Sequence, residues 1–178
     1  GDIIHLEYYE PYSVYNEGIL SINSIIHNYK DIFNIYRDSR DNECGYDVSE
    51  YFDSEYTQQI NATAMLDMAN GYVCSGALLN NERENQMGYF LTAWHCIYNI
   101  LDAQSISNIK FYFDYITDNN YGNYATDAIL LNHSDGMNPD YALMLIQDFS
   151  RLDENTLCYA GWDASNSTPD IGFTVHHP

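Results

Sequence analysis

The sequence predicts an all-β fold, a barrel or sandwich of short strands. Three observations predict it. Short apolar or alternating stretches recur along the chain, they are rich in Tyr, Phe, Ile and Val, and clusters of Asn, Asp and Gly separate them. Tyrosine alone accounts for 18 of the 178 residues, which strengthens the strand bias.

In chain order, apolar stretches at 3–9 and 19–26 read as an N-terminal pair of strands. A polar run, Arg37-Asp-Ser-Arg-Asp-Asn-Glu43, carries two of the four arginines and reads as a linker. A helical turn is expected over 47–55, then strands over 60–67, 72–79 and 89–92. A helical segment is expected over 95–102. Strands then follow at 109–116, 128–131, 142–146 and 172–175. No internal repeat is found.

The chain is 46% hydrophobic and 18% charged, a globular balance. Its net charge of −20, from 26 acidic and 6 basic residues, disfavours nucleic acid and anionic membrane surfaces as partners. No apolar run reaches the roughly 18 residues of a membrane span. The start at Gly1 has no basic and apolar leader, so any export signal is expected upstream. Cys44, Cys74, Cys96 and Cys158 form no Cys-x-x-Cys pair. An even number at wide spacing suits disulfides and a secreted protein.

The segment richest in chemistry is Tyr89-Phe-Leu-Thr-Ala-Trp-His-Cys96, an apolar strand running into His95 and Cys96. A general base must sit at a fixed place within reach of its nucleophile, and a strand end braced by a disulfide supplies that. Cys74 lies 22 residues upstream, in Tyr72-Val-Cys-Ser-Gly-Ala-Leu-Leu79, where a hairpin would bring it to Cys96. For the acid that orients such a base, Asp127, Asp135 and Asp140 are all candidates. Asp127 precedes Ala128-Ile-Leu-Leu131, and Asp140 precedes Tyr141-Ala-Leu-Met-Leu-Ile146. Alternatively, Asp140 merely turns the chain after Pro139.

Together, Cys74-Ser-Gly-Ala-Leu-Leu-Asn-Asn81 and the His95 segment resemble trypsin-like serine endopeptidases, most closely the bacterial lysyl endopeptidases. Tyr159-Ala-Gly-Trp-Asp163 and Ile171-Gly-Phe-Thr-Val-His-His-Pro178 extend the likeness, which covers about 44–178. The resemblance implies the first β-barrel of a two-barrel, chymotrypsin-like fold, with only the start of the second barrel. It implies His95 as general base, Asp140 as its orienting acid, a Cys74–Cys96 disulfide and a protein or peptide substrate. It implies no cofactor and no metal.

The nucleophile is expected elsewhere. No Gly-x-Ser-Gly occurs; Ser75 lies on the strand supporting the His loop, and Ser134 has the wrong order and context. In the family the nucleophile follows the His-His-Pro segment, so the Ser and its oxyanion hole are expected in a missing C-terminal half. This chain alone is then expected to be inactive. The resemblance divides the chain into a β-rich propeptide remnant and linker at 1–40 and a protease domain at 41–178. Activation would cut within 37–43.

The family pattern is broken in places. Glu50 stands where a second N-terminal cysteine would be, and that cysteine's partner beyond 109–116 is absent too. Cys44 and Cys158 are left to pair with one another or remain free. His176 and His177 are adjacent, so strand geometry would point them to opposite faces and not into one metal site. Asn61, Asn132 and Asn166 head Asn-x-Ser/Thr triplets, a pattern common by chance in an Asn-rich chain. The alternative reading is a non-catalytic protease homologue or a cell-surface binding module.

Overall fold

A computed structural model describes residues 9, 11, 47–51, 53–68, 72–83, 85–113, 123–136, 138–153, 155–165, 167–168, 170 and 172–177. The strands expected at 3–9 and 19–26, the linker at 37–43 and Cys44 lie outside the described residues, Tyr9 apart.

The described residues form β1 (Thr63–Asp67), β2 (Val73–Leu79), β3 (Gly88–Thr92), β4 (Lys110–Phe113), β5 (Thr126–His133) and β6 (Ala142–Asp148). They make one sheet in the order β4-β1-β2-β3-β6-β5, and every neighbouring pair is antiparallel. The outer strands meet: Phe111 of β4 and Ala125, just before β5, exchange two main-chain hydrogen bonds of 2.9 Å. That contact rolls the sheet into a barrel and covers its edges. The all-β barrel expected from the sequence is the fold observed.

Alternation along each strand fills the barrel. Ala64 and Leu66 on β1 pair with Phe113 and Phe111 on β4, and all four are buried. Leu78 pairs with Phe90, and Phe90 with Met144; these too are buried. Phe90 meets the Phe111 ring edge-on, with centroids 4.9 Å apart. Gly76 makes room for it, since a Cβ there would be driven into the Phe90 ring and lie 2.5 Å from the Leu91 carbonyl oxygen.

The helical turn expected over 47–55 is present, and the other short helical pieces differ from expectation. A 3-10 turn, Val48–Tyr51, and α1 (Thr57–Ala62) occupy the region before β1. The strand expected from 60 therefore starts at Thr63. The reason is local: the Ile60 N–H bonds to the Tyr56 carbonyl, and β1 gains partners on β2 only from Thr63 onward. In place of one helix over 95–102 there are two single turns, α2 (Trp94–Ile97) and α3 (Ala103–Ser107). Asp102 begins the second by accepting the Ser105 N–H at 2.9 Å.

After β6 the chain returns along β2. Ala160 bridges Leu79 in parallel, with bonds of 2.9 and 2.8 Å to Asn80 and Leu78. The strand expected at 172–175 is not formed. Residues 172–177 pair with no strand among the described residues and are instead held by contacts of Phe173 and His177.

Candidate active site

Sheet register sets the site. Thr92, the last residue of β3, pairs with Ala142, the first of β6. The chain leaving β3 and the chain entering β6 are therefore neighbours, and these carry His95 and Asp140. Thr92 is buried, and its hydroxyl donates to the Ser75 carbonyl at 2.8 Å, tying the end of β3 to β2. Ala93 is still extended; α2 then begins, so His95 sits on the first turn after a strand end. Cys96 follows, buried, and is bonded to Cys74 of β2 with Cα atoms 6.3 Å apart.

Asp140 grips this turn twice. One carboxylate oxygen lies 2.5 Å from the His95 Nδ1, and the other accepts the His95 main-chain N–H at 3.0 Å. The first N–H groups of a helix have no partner of their own, and no side chain of the turn itself caps α2. Asp140 thus caps, from across the sheet, the turn that holds its imidazole partner. These bonds hold its carboxyl below the ordinary carboxylate range; the His95 side chain is the largest cause, followed by the His95 N–H. The His95 side chain is 54% exposed and that of Asp140 26%, so the pair lies at the surface with one imidazole edge open.

The other candidate acids lie elsewhere. Asp127 is on β5 with a left-handed φ of 58°, and Asp135 is on the turn after it; neither bonds to His95. The two serines considered as nucleophiles are already engaged. Ser75 Oγ accepts the His177 N–H at 2.7 Å. Ser134 is buried, and its Oγ donates to the Gly136 carbonyl at 2.7 Å.

Residues 39–178 match the sequence family described as lysyl endopeptidase, C-terminal domain. The chain belongs to this family. Over 114 residues it is 28% identical to a lysyl endopeptidase of Pseudomonas aeruginosa, a stretch that is 60% of this chain and 24% of that relative. The chain therefore spans well under two thirds of the relative's length. Membership in the lysyl endopeptidase family supports a peptidase lineage.

In this lysyl endopeptidase-family barrel, the sulfurs of Cys74 and Cys96 and a His95 ring nitrogen all lie within 4.8 Å of one another. Both sulfurs are consumed in the disulfide and offer no thiolate to a metal. Cys158 is a free, half-buried thiol. His176 is exposed, whereas His177 is half-buried with its main chain on Ser75. Of the Asn-x-Ser/Thr triplets, Asn61 buries its side-chain oxygen and Asn132 accepts the Tyr141 hydroxyl at 2.6 Å.

Sequence reasoning missed one feature beside the pair. The Trp94 indole and the His133 imidazole stack with centroids 4.1 Å apart and planes 7° from parallel. The one sign of it in the sequence was the unbroken run Ala128-Ile-Leu-Leu131, which does not alternate as a regular strand on this face should.

Proposed function

We propose that the chain supplies the general base and orienting acid of a serine endopeptidase. The observation that carries this is the double grip of Asp140 on His95, at 2.5 Å to Nδ1 and 3.0 Å to the main-chain N–H, with the imidazole otherwise open. An Nδ1–H donated to Asp140 leaves the lone pair on Nε2, the tautomer a base needs. His95 would take the proton from a serine hydroxyl as its oxygen attacks a peptide carbonyl, then give it to the leaving amine. The resulting acyl-enzyme would be hydrolysed by water activated the same way.

The nucleophile and its oxyanion hole are assigned to a C-terminal half beyond these 178 residues. Support comes from Ser75 of β2, whose hydroxyl ties the main chain of His177 to the barrel. A lysine preference is proposed from the family description, and the net charge of −20 favours approach of cationic peptides. Residues 41–178 are assigned to the protease and 1–40 to a propeptide remnant, in keeping with a family match that begins at 39. The disulfide fits an extracellular site of action. No helix among the described residues is long and apolar enough to cross a membrane.

The test compares this chain with the longer gene product on lysine-containing peptides and on a serine-reactive fluorophosphonate. Activity is expected only in the longer protein, falling by about 10⁶-fold with His95→Ala. Covalent labelling of the isolated chain at one of its own serines would overturn the assignment. A longer protein that folds but neither cleaves nor labels would favour a non-catalytic homologue.

A further inference from the structure

Each member of the His95–Asp140 pair is flanked by one half of an aromatic stack. Trp94 immediately precedes His95 and packs against the core cluster. His133 ends β5 and pairs with Ala142, two residues after Asp140. A one-residue bulge puts His133 there. The register of β5 against β6 runs Ile129↔Leu145 and Leu130↔Met144, then jumps to Asn132↔Leu143 and His133↔Ala142. Leu131 is the extra residue, and its side chain is left exposed. Because facing alternates with period two, a single insertion reverses every side chain beyond it. Met144 and Ala142 are wholly buried, so their partners Leu130 and His133 point to the inner side. Were Leu131 paired with Leu143 in a regular ladder, Asn132 would meet Ala142 on the inner side and His133 would face outward.

Beyond the bulge, the loop over 134–141 is closed at its base. The Ser134 N–H donates to the Tyr141 carbonyl at 3.0 Å, and the buried Ser134 hydroxyl accepts the Tyr141 N–H at 3.3 Å. The His133 Nδ1 lies 2.8 Å from the Ser134 carbonyl, which fixes the ring plane when that nitrogen carries the proton. The ring then lies flat on Trp94, 7° from parallel. Beyond the ladder pair of Thr92 and Ala142 and the exposed bonds of Asp140, the two segments are thus also joined by a packed ring contact.

We propose that Trp94 and His133 are positioning residues: their stack, aimed by the Leu131 bulge, fixes the loop of Asp140 against the turn of His95. This rests on the proposed catalytic reading for its effect on rate, but not for its effect on the pair's geometry. Neither ring needs to touch substrate. The stack acts on where the Asp140 carboxylate stands when the imidazole takes up its proton.

The experiment has two arms, so that failure of either idea can be told from failure of the other. In this chain, long-range proton–nitrogen NMR follows the His95 Nδ1 proton in the wild type, His133→Ala, His133→Phe and Trp94→Phe. His133→Ala is expected to weaken the bond to Asp140, seen as an upfield move of that resonance and its faster exchange with water. His133→Phe, which keeps a flat ring on the indole, is expected to restore it, with Trp94→Phe intermediate. In the longer gene product, His133→Ala is expected to lower kcat about tenfold with KM unchanged, and His133→Phe to recover most of the loss. An unmoved Nδ1 resonance in a folded His133→Ala chain would overturn the proposal, whatever the longer protein does. Should His133→Ala fail to fold, the two phenylalanine variants decide: no change in either Trp94→Phe resonance or rate overturns it. A longer protein inert in all forms, with the NMR shifts as expected, would leave the stack standing and remove the catalytic reading.

Discussion

Asp140 holds His95 through one side chain serving two bonds, so on the proposed catalytic reading its chemistry is felt in both activity and stability. An amide at this position can still accept the His95 N–H, but its NH₂ would face Nδ1 and force the proton to the other ring nitrogen. On the proposed reading, Asp140→Asn is therefore expected to fold and yet to lower kcat of a longer, active form by about 10⁴-fold. The acid limb of stability follows from the lowered carboxyl pKa. Folding favours the ionised form, so the stabilisation is complete above the unfolded value of about 3.9 and is lost as pH falls through the lower folded value. Urea unfolding across about pH 2 to 6 is expected to show stability falling on the acid side, with a shallower fall in Asp140→Asn. The fall will not vanish, because Asp47, Asp102, Asp148 and Asp163 are lowered in the same direction by bonds from neighbouring serines.

Among the elements, β2 has little room for change at Gly76. Gly76→Ala would press a methyl into the Phe90 ring and against the Leu91 carbonyl oxygen, 2.5 Å away. A destabilisation of about 1–3 kcal/mol is expected in denaturant titrations. Adding Phe90→Leu should relieve part of the ring clash but none of the backbone clash, leaving the double mutant non-additive. Strands whose apolar run matches their pairing were legible: those expected at 72–79, 89–92 and 142–146 became Val73–Leu79, Gly88–Thr92 and Ala142–Asp148. Where the ends depend on a partner they were not. Residues 60–62 form the last turn of α1, with the Ile60 N–H on the Tyr56 carbonyl, and 172–175 has apolar residues but joins no ladder. In the site, His95, Cys74 and Cys96 stood out because strand end and cysteine spacing are local signals. Trp94 and His133 did not, because their meeting depends on an inserted residue whose effect exists only in the register.

For the molecule as a whole, a net charge of −20 means that compaction works against self-repulsion. Raising ionic strength from about 0.01 M to about 0.15 M shortens the screening length from about 30 to about 8 Å. The urea midpoint is expected to rise over that range; an unchanged or falling midpoint would indicate that local ion pairs outweigh the net repulsion. Reducing the Cys74–Cys96 bridge reopens a loop of 22 residues and is expected to cost about 3 kcal/mol, read as a lowered midpoint in the presence of reductant. The clasp of Ser75 on the His177 main chain joins residues 102 positions apart. A ribosome releases a chain from its N-terminal end, so the strands of the barrel, complete by Asp148, are out before this clasp has its second half. That brace on β2 is consequently added by the stretch of these residues that is made last, and a nascent chain stalled short of His177 would display the His95–Asp140 pair on a barrel still lacking it.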